Sequence, residues 1–570
     1  MKILRLMKGL RRYLVIMAIF SIIQAFSELY LPSIMSDIID IGIESGDARF
    51  IINKVIIMLI ISLVAFIANI IVVYSSSKFS NNYGFNIRDS LYKKINSLSK
   101  KEIDDFGAST LITRSTNNVS NITSTFSFGL RLMIFAPIMA GGAIIMGYFK
   151  ARVLSPVIVL SIVALAIILL IIFLIIFPKF DIVQKLLDKL NSNTREEVTG
   201  IRTIKAFNKQ DFFKKRFNKI NNDNKELNIF LNKILYLIQP AMILIVNIAT
   251  IGIIYMSIKY ISLGNLEIGA MMAFIQYMAT ILTSFLIILV IILNIPRVMI
   301  SFKRINEVLD IEVSVVDNGK IKLQSLESIE FKNVYFRYPK AKKTVLKDIS
   351  FRIKKGENVG IIGSSGSGKT TIVNLLLRNI DATKGTILIN GIDIKEYTKE
   401  SLRKIFAYVP QKTLLFKGSV KENIGFDNKY DLSELDKVMH TARLKDVVLK
   451  NKEGFNYELE QSGINLSGGQ KQRISIARAL LNGGECLIFD DSFSSVDYIT
   501  DRKIRQSLAK NYQDKMTILI TQRMGTVKDT NKIIVIEEGK VEAIGTYKEL
   551  TRSSSVFKEF ISSQKSEVKE

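Results

Sequence analysis

Residues 359–371 read VGIIGSSGSGKTT. They fit the spacing G-x-x-x-x-G-K-[ST] through Gly363, Gly368, Lys369 and Thr370. The chemistry of that spacing is phosphate binding. Glycines let successive backbone N–H groups curl around an anion, and a helix that starts there adds a partial positive charge. The expected contacts are Gly363, Ser364, Ser365, Gly366, Ser367, Gly368 and Thr371, with Lys369 reaching the outer phosphates of a nucleoside triphosphate. The Thr370 hydroxyl is the expected ligand for Mg²⁺. Residues 486–490, CLIFD, form a hydrophobic run ending in Asp490, placed to hold the same ion. Cys486 lies inside that run and reads as a buried core residue. With one cysteine and one histidine, His440, the chain has no disulfide framework and no multi-Cys or multi-His metal site.

The loop needs a strand before it and a helix after it. Val359, Ile361 and Ile362 supply the first; Ile372, Val373, Leu375 and Leu376 supply the second. From about residue 326 short β-branched runs alternate with helical patterns, as in an α/β domain.

The first 311 residues are different. The 570-residue chain is 48% hydrophobic with a mean hydropathy of +0.25, which excludes disorder and a plain cytosolic enzyme. Residues 13–36 contain one charge, Glu28, and 55–75, 132–149, 153–178, 234–258 and 268–296 contain none. About 20 apolar residues cross a bilayer, so six spans are expected. Arg131 and Lys150 flank the shortest stretch and can snorkel to the interfaces. The first run is too long for a cleavable signal peptide. Connectors 76–131 and 179–233 are polar and nearly free of Pro and Gly, so they read as helices projecting about 40 Å from the membrane.

There are 78 Lys+Arg against 52 Asp+Glu, a net charge of +26. The excess fits segments held on the cytoplasmic side and contact with anionic lipid, with no nucleic-acid partner. The N-terminus and the first long connector are basic and expected inside; Asp37, Asp40, Glu44 and Asp47 mark an outer loop. Lys150 and Arg152, in a three-residue outer turn, go against the rule.

Residues 466–470 read LSGGQ, followed by KQRISIARAL. With the phosphate loop and Asp490 in this order, the chain resembles an ABC transporter half-subunit of the exporter type. The resemblance implies an α-helical six-span transmembrane domain (1–311), a linker (312–325) and an α/β P-loop ATPase domain (326–570). It implies that Tyr338 in FRYP stacks on adenine and that Gln411 in YVPQ contacts Mg²⁺. Residues 494–497, SSVD, match the D-loop. It places Ser467, Gly468, Gly469 and Gln470 over the ATP of a partner. Residues 107–118 and 203–214 resemble the coupling helices. YELEQSG, 457–463, departs from the motif exporters carry before LSGGQ.

Two departures fall at the catalytic positions. The family has Glu after Asp490 to polarise the attacking water; here it is Asp491. Its carboxylate is withdrawn by about 1.5 Å, one carbon–carbon bond. A base must come within about 2.6–3.2 Å of its proton, and about 1 Å of misplacement can cost on the order of 10²-fold. In ITQRMGTV, 520–527, Gln522 stands where the family has His. An amide can bond a γ-phosphate but cannot carry positive charge.

The resemblance therefore implies an ATP-hydrolysing translocase of the xenobiotic-transporting class. Its own Asp491/Gln522 site would be impaired, and it would pair with a second half-transporter as in heterodimeric bacterial multidrug exporters. The substrate expected is hydrophobic or amphipathic, moved across the cytoplasmic membrane. Glu28, the one ionisable group inside a span, could meet a cationic substrate or sit near outer water. A slow homodimeric exporter, a lipid or lipopeptide flippase, and a non-pumping nucleotide-gated sensor or channel share the motifs.

Overall fold

The structure, a computed structural model, describes residues 2–339, 341–426, 430–445 and 453–566. It divides into two compact units: residues 2–97 with 106–311, and 98–105 with 312–566.

The first unit is built from helices α1 (Arg11–Asp37), α2 (Ala48–Ser97), α3 (Asn117–Lys150), α4 (Ser155–Thr199), α5 (Gln210–Ser262) and α6 (Ile268–Leu309). Six candidate spans lie on them. A helix closes its own backbone hydrogen bonds, the only single-segment solution inside lipid. The 50 residues of α2 rise about 75 Å, of which about 30 Å covers the hydrocarbon, so the helix runs on well past it. α4 and α5 overrun in the same way, as the Pro- and Gly-poor connectors require. α1, α2, α3 and α6 pack on one another, while α4 pairs mainly with α5. Small residues permit the close approach. A Cβ on Gly142 would run into the Leu29 side chain, so Leu29 of α1 packs directly on the bare backbone of α3. Tyr277 of α6, 1% exposed, donates its hydroxyl to the Leu29 carbonyl at 3.1 Å.

The tips of the long connectors break into short helices. Lys100–Phe106 and Ala108–Ser115 are separated by Gly107 at φ 75°, a left-handed turn that suits glycine. Residues 107–118 thus cover that hinge, the second short helix and the start of α3. The eight residues that join the second unit lie just before, at Leu98–Asp105, where Glu102 accepts from Ser99 N at 2.7 Å and Ser314 N at 3.3 Å. In the other connector, Ile201–Ala206 is a short helix, and 203–214 covers its end, Asn208 at φ 51°, and the start of α5.

The second unit carries two main sheets. An antiparallel one has the order β2 (Leu346–Lys354), β1 (Ser328–Phe336), β4 (Lys384–Ile389), β5 (Ile392–Asp393). The larger has the order β12 (Lys540–Gly545), β11 (Lys532–Glu537), β3 (Asn358–Gly363), β10 (Met516–Thr521), β9 (Cys486–Asp490), β6 (Phe406–Val409). A small ribbon pairs β7 (Gly418–Ser419) with β8 (Glu458–Leu459). In the larger sheet β11, β3, β10, β9 and β6 run parallel, and β12 is antiparallel. Buried on both faces, β9 and β11 read as continuous Val/Ile/Leu/Phe runs instead of alternating. Loops leaving the carboxyl ends of such strands form the crevice where α/β sheets bind ligands.

Candidate nucleotide site

β3 delivers the phosphate loop, and α7 (Lys369–Leu376) receives it. Gly366 and Gly368 take φ 80° and 105°, which a Cβ would oppose. A Cβ on Gly363 would lie 2.1 Å from the Ile536 carbonyl oxygen. No side chain caps α7, since Gly368 is its N-cap. The Lys369 side chain folds back along the loop, donating to the carbonyls of Gly363 (2.8 Å) and Ser364 (2.7 Å). It is 8% exposed, and burial holds its pKa below the usual lysine value. Ser365 and Thr370 face solvent, Ser367 is buried, and Thr371 Oγ1 lies 3.3 Å from the Tyr338 hydroxyl. Tyr338 is 40% exposed, its ring edge-on to Phe336.

β9 lies beside β10, two strands from β3, so its last residue meets α7. Asp490 Oδ1 accepts from Thr370 Oγ1 at 3.1 Å, and Oδ2 accepts from Tyr408 Oη at 3.3 Å. Asp490 is 1% exposed, and burial pushes its pKa up against those two bonds. Asp491 follows at φ 48°, its N–H donating to the Ile520 carbonyl at 2.8 Å. Its Oδ2 accepts from Gln411 Nε2 at 3.2 Å. Two residues placed in different loops by sequence are thus joined by one hydrogen bond. Gln522 is exposed and lines, with Gly363 and Ser364, a cleft of about 930 Å³.

Ser467–Gln470 open helix α8 (Gly468–Leu481). Ser467 Oγ accepts from Gln470 N, and Gln470 Oε1 from Ser467 N, a reciprocal capping box. Ser467 and Gly468 are exposed. Gly469 lies so near the D-loop that a Cβ would sit 2.9 Å from the Ser495 carbonyl. Among the described residues no hydrogen bond joins 467–470 to the phosphate loop.

Sequence reasoning missed three residues that bind these parts together. Tyr408 stands in the same YVPQ quoted for Gln411. Gln472, 3% exposed, donates to the Pro410 carbonyl at 3.2 Å and accepts from Thr413 Oγ1 at 2.6 Å. Arg523 donates to the carbonyls of Phe493, Ser494 and Val496, tying the 520–527 segment to the D-loop. A buried-type polar residue next to a motif was the only available signal. Elsewhere the quieter expectations hold: Cys486 is fully buried, and His440 is exposed on the helix Leu432–Thr441. Glu28 accepts from Gln24 Nε2 on its own helix at 2.9 Å.

A family model described as the ABC transporter transmembrane region matches residues 14–285, and one described as ABC transporter matches 346–494. An uncharacterized ABC transporter ATP-binding protein of Mycobacterium tuberculosis is 31% identical over 561 residues, covering 97% of this chain and 96% of that one. The protein YfiB of Bacillus subtilis, of the same description, is 31% identical over 547 residues and covers 94% of each. The structure of a bacterial Atm1-family ABC exporter with ATP bound superposes with a TM-score of 0.83 at 22% identity, over 98% of both chains. That likeness gives the exporter fold, and the sequence matches along nearly the whole length give the kinship: this chain belongs to the ABC transporter family, as a multi-pass membrane protein with its ATPase domain in the cytoplasm.

Proposed function

We propose that this chain is one half of an ATP-driven exporter, paired with a different half-transporter, whose own nucleotide site turns over slowly. The observation that carries the reading is the Asp491–Gln411 contact beside an exposed Gln522.

The phosphate loop and the α7 N-terminus bind the triphosphate, and Tyr338 offers a ring to its base. Lys369, held now by two backbone carbonyls, turns to the phosphates. Thr370 Oγ1 and Asp490 Oδ1, 3.1 Å apart, with the Gln411 side chain nearby, form an all-oxygen set that suits Mg²⁺. A buried carboxylate whose burial raises its pKa is one that a cation relieves. When bound, Mg²⁺ neutralises charge developing on the phosphates.

Asp491 is one methylene short of the reach a water-orienting carboxylate needs, and Gln411 already holds it. Gln522 can bond an outer phosphate without adding charge. The triphosphate is therefore held longer than it is cleaved. The Ser467–Gln470 turn, with Ser467 and Gly468 exposed, completes the partner's site, where hydrolysis proceeds. The transported molecule is hydrophobic or amphipathic. A cavity of about 300 Å³ between α3 and α6, lined by Phe128, Met133 and Met299 with Thr125 and Asn294, suits such a molecule.

The test is ATP turnover of the purified chain alone and with its partner. The chain alone is expected to run at least about tenfold slower, and Asp491→Glu with Gln522→His to raise its rate, as misplacement of a base predicts. Brisk hydrolysis by a homodimer of the unaltered chain overturns the proposal.

A further inference from the structure

We infer that Gln564, on the last helix among the described residues, is a positioning residue for the nucleotide site, acting through Gln522. The inference rests on the reading of Gln522 as the outer-phosphate contact.

α9 (Met524–Val527) starts directly after Gln522 and Arg523, and the described part of α10 (Ser555–Ser566) runs up beside it. Gln564 Nε2 donates to the Gln522 carbonyl, and Met524 N donates to Gln564 Oε1 at 2.8 Å. The amide has one possible orientation, because a carbonyl only accepts and a backbone N–H only donates. One side chain thus grips the backbone on both sides of Arg523.

The grip is anchored. Phe557, Phe560 and Ile561 precede Gln564 by seven, four and three residues, so all four share a helix face. Phe557 is fully buried in a core with Ile362, Met524, Val527 and Val535. Ile362 is the residue before the phosphate loop. Ser554 Oγ accepts from Phe557 N at 3.0 Å and donates to Glu542 of β12 at 2.8 Å, which fixes where α10 begins. Gln564 also lines the cleft that holds Gly363, Ser364 and Gln522. The helix therefore sets the backbone from which the Gln522 side chain springs.

A residue that places an outer-phosphate contact affects ATP and spares ADP. A merely structural residue weakens both. The full-length chain in lipid nanodiscs is assayed by displacement of a fluorescent nucleotide with MgATP or MgADP. Gln564→Met keeps the bulk and loses both hydrogen bonds. It is expected to weaken MgATP about fivefold, the size of one net hydrogen bond, and MgADP by less than about twofold. Gln522→Ala is expected to show the same selectivity loss. If Gln522→Ala shows it and Gln564→Met does not, the inference is overturned while the reading of Gln522 stands. If neither does, both fall. Equal loss for both nucleotides in Gln564→Met, with a lowered melting temperature, also overturns it.

Discussion

Asp490 is satisfied by two hydroxyls, from Thr370 and Tyr408, and by no cation within hydrogen-bonding distance among the described residues. The two hydroxyls differ in kind. On the proposed reading Thr370 shares an ion with the carboxylate, whereas Tyr408 orients it. Removing an orienting partner of a metal ligand typically costs on the order of 10–100-fold in metal affinity. Tyr408→Phe is therefore expected to shift the Mg²⁺ dependence of ATP binding by about tenfold, with binding in excess chelator unchanged. A Mg²⁺ titration of nucleotide retention checks it, and an unshifted curve removes Tyr408 from the site. Lys369→Met is expected to weaken MgATP far more, because it deletes the only buried cation on the loop. At this scale the sequence was legible where chemistry dictates residue type at fixed spacing, as in 363–371. It was silent for Gln564 and gave for Tyr408 only its place in YVPQ. Their roles come from strands and helices that meet only after folding, and no local rule marks a tyrosine or a glutamine as belonging to a distant carboxylate or carbonyl.

Helix α8 is fastened to the segment that carries Gln411. Gln472 joins it to Pro410 and Thr413. Further along, Arg478 donates to the carbonyls of Leu414 and Asn423, and its guanidinium lies over the rings of Phe416 and Phe426. Burial pushes the pKa of Arg478 down to about 10, so it stays charged at neutral pH. The signature turn, Ser467–Gln470, and the Gln411 loop are thus tied to one another through α8. Gln472→Leu keeps the volume but removes the bonds to the half-buried Pro410 carbonyl and Thr413 hydroxyl, which costs about 0.5–1.5 kcal/mol for each net hydrogen bond. The expected result is a lower melting temperature of the full chain and weaker coupling of ATP turnover to substrate. Gly469→Ala probes the same element from the other side: its Cβ would press on the Ser495 carbonyl and push the signature turn off the D-loop. On the proposed pairing, turnover at the partner's site is expected to fall while nucleotide binding to this chain's own loop is unchanged. The capping box of α8 was readable, since Ser467 and Gln470 have the S-x-x-Q spacing. The short helices at the connector tips were readable only to within a turn, because one glycine, Gly107, divides a continuous polar helical pattern at a place periodicity does not show.

Over the whole molecule, six spans and a cytoplasmic ATPase domain put both ends of the first unit on the same side, so residues 37–54 and 150–152 lie outside. The spans were legible from apolar length alone, but their helices were not. α3 covers 34 residues where the uncharged stretch has 18, since a polar sequence continues a helix once lipid has nucleated it. The basic outer turn that broke the charge rule has a structural explanation. Asp37, at the end of α1, meets Lys54 of α2 and Lys150 of α3, each at 3.0 Å. One carboxylate thus ties three spans at their outer ends, and the side chains are only 23–27% exposed. Removing it leaves two ammonium groups facing each other in a poorly solvated corner. Asp37→Asn is therefore expected to destabilise by about 1–3 kcal/mol, between the worth of exposed and fully buried pairs. Lys150→Met alone leaves Asp37 its bridge to Lys54 and costs less. The double variant is the deciding measurement. If the bridge is real, Lys150→Met relieves the repulsion left by Asp37→Asn, and the melting temperature of the pair lies above the sum of the two losses. Simple additivity would mean that Asp37 and Lys150 do not interact, and the basic turn would again be without its counter-charge.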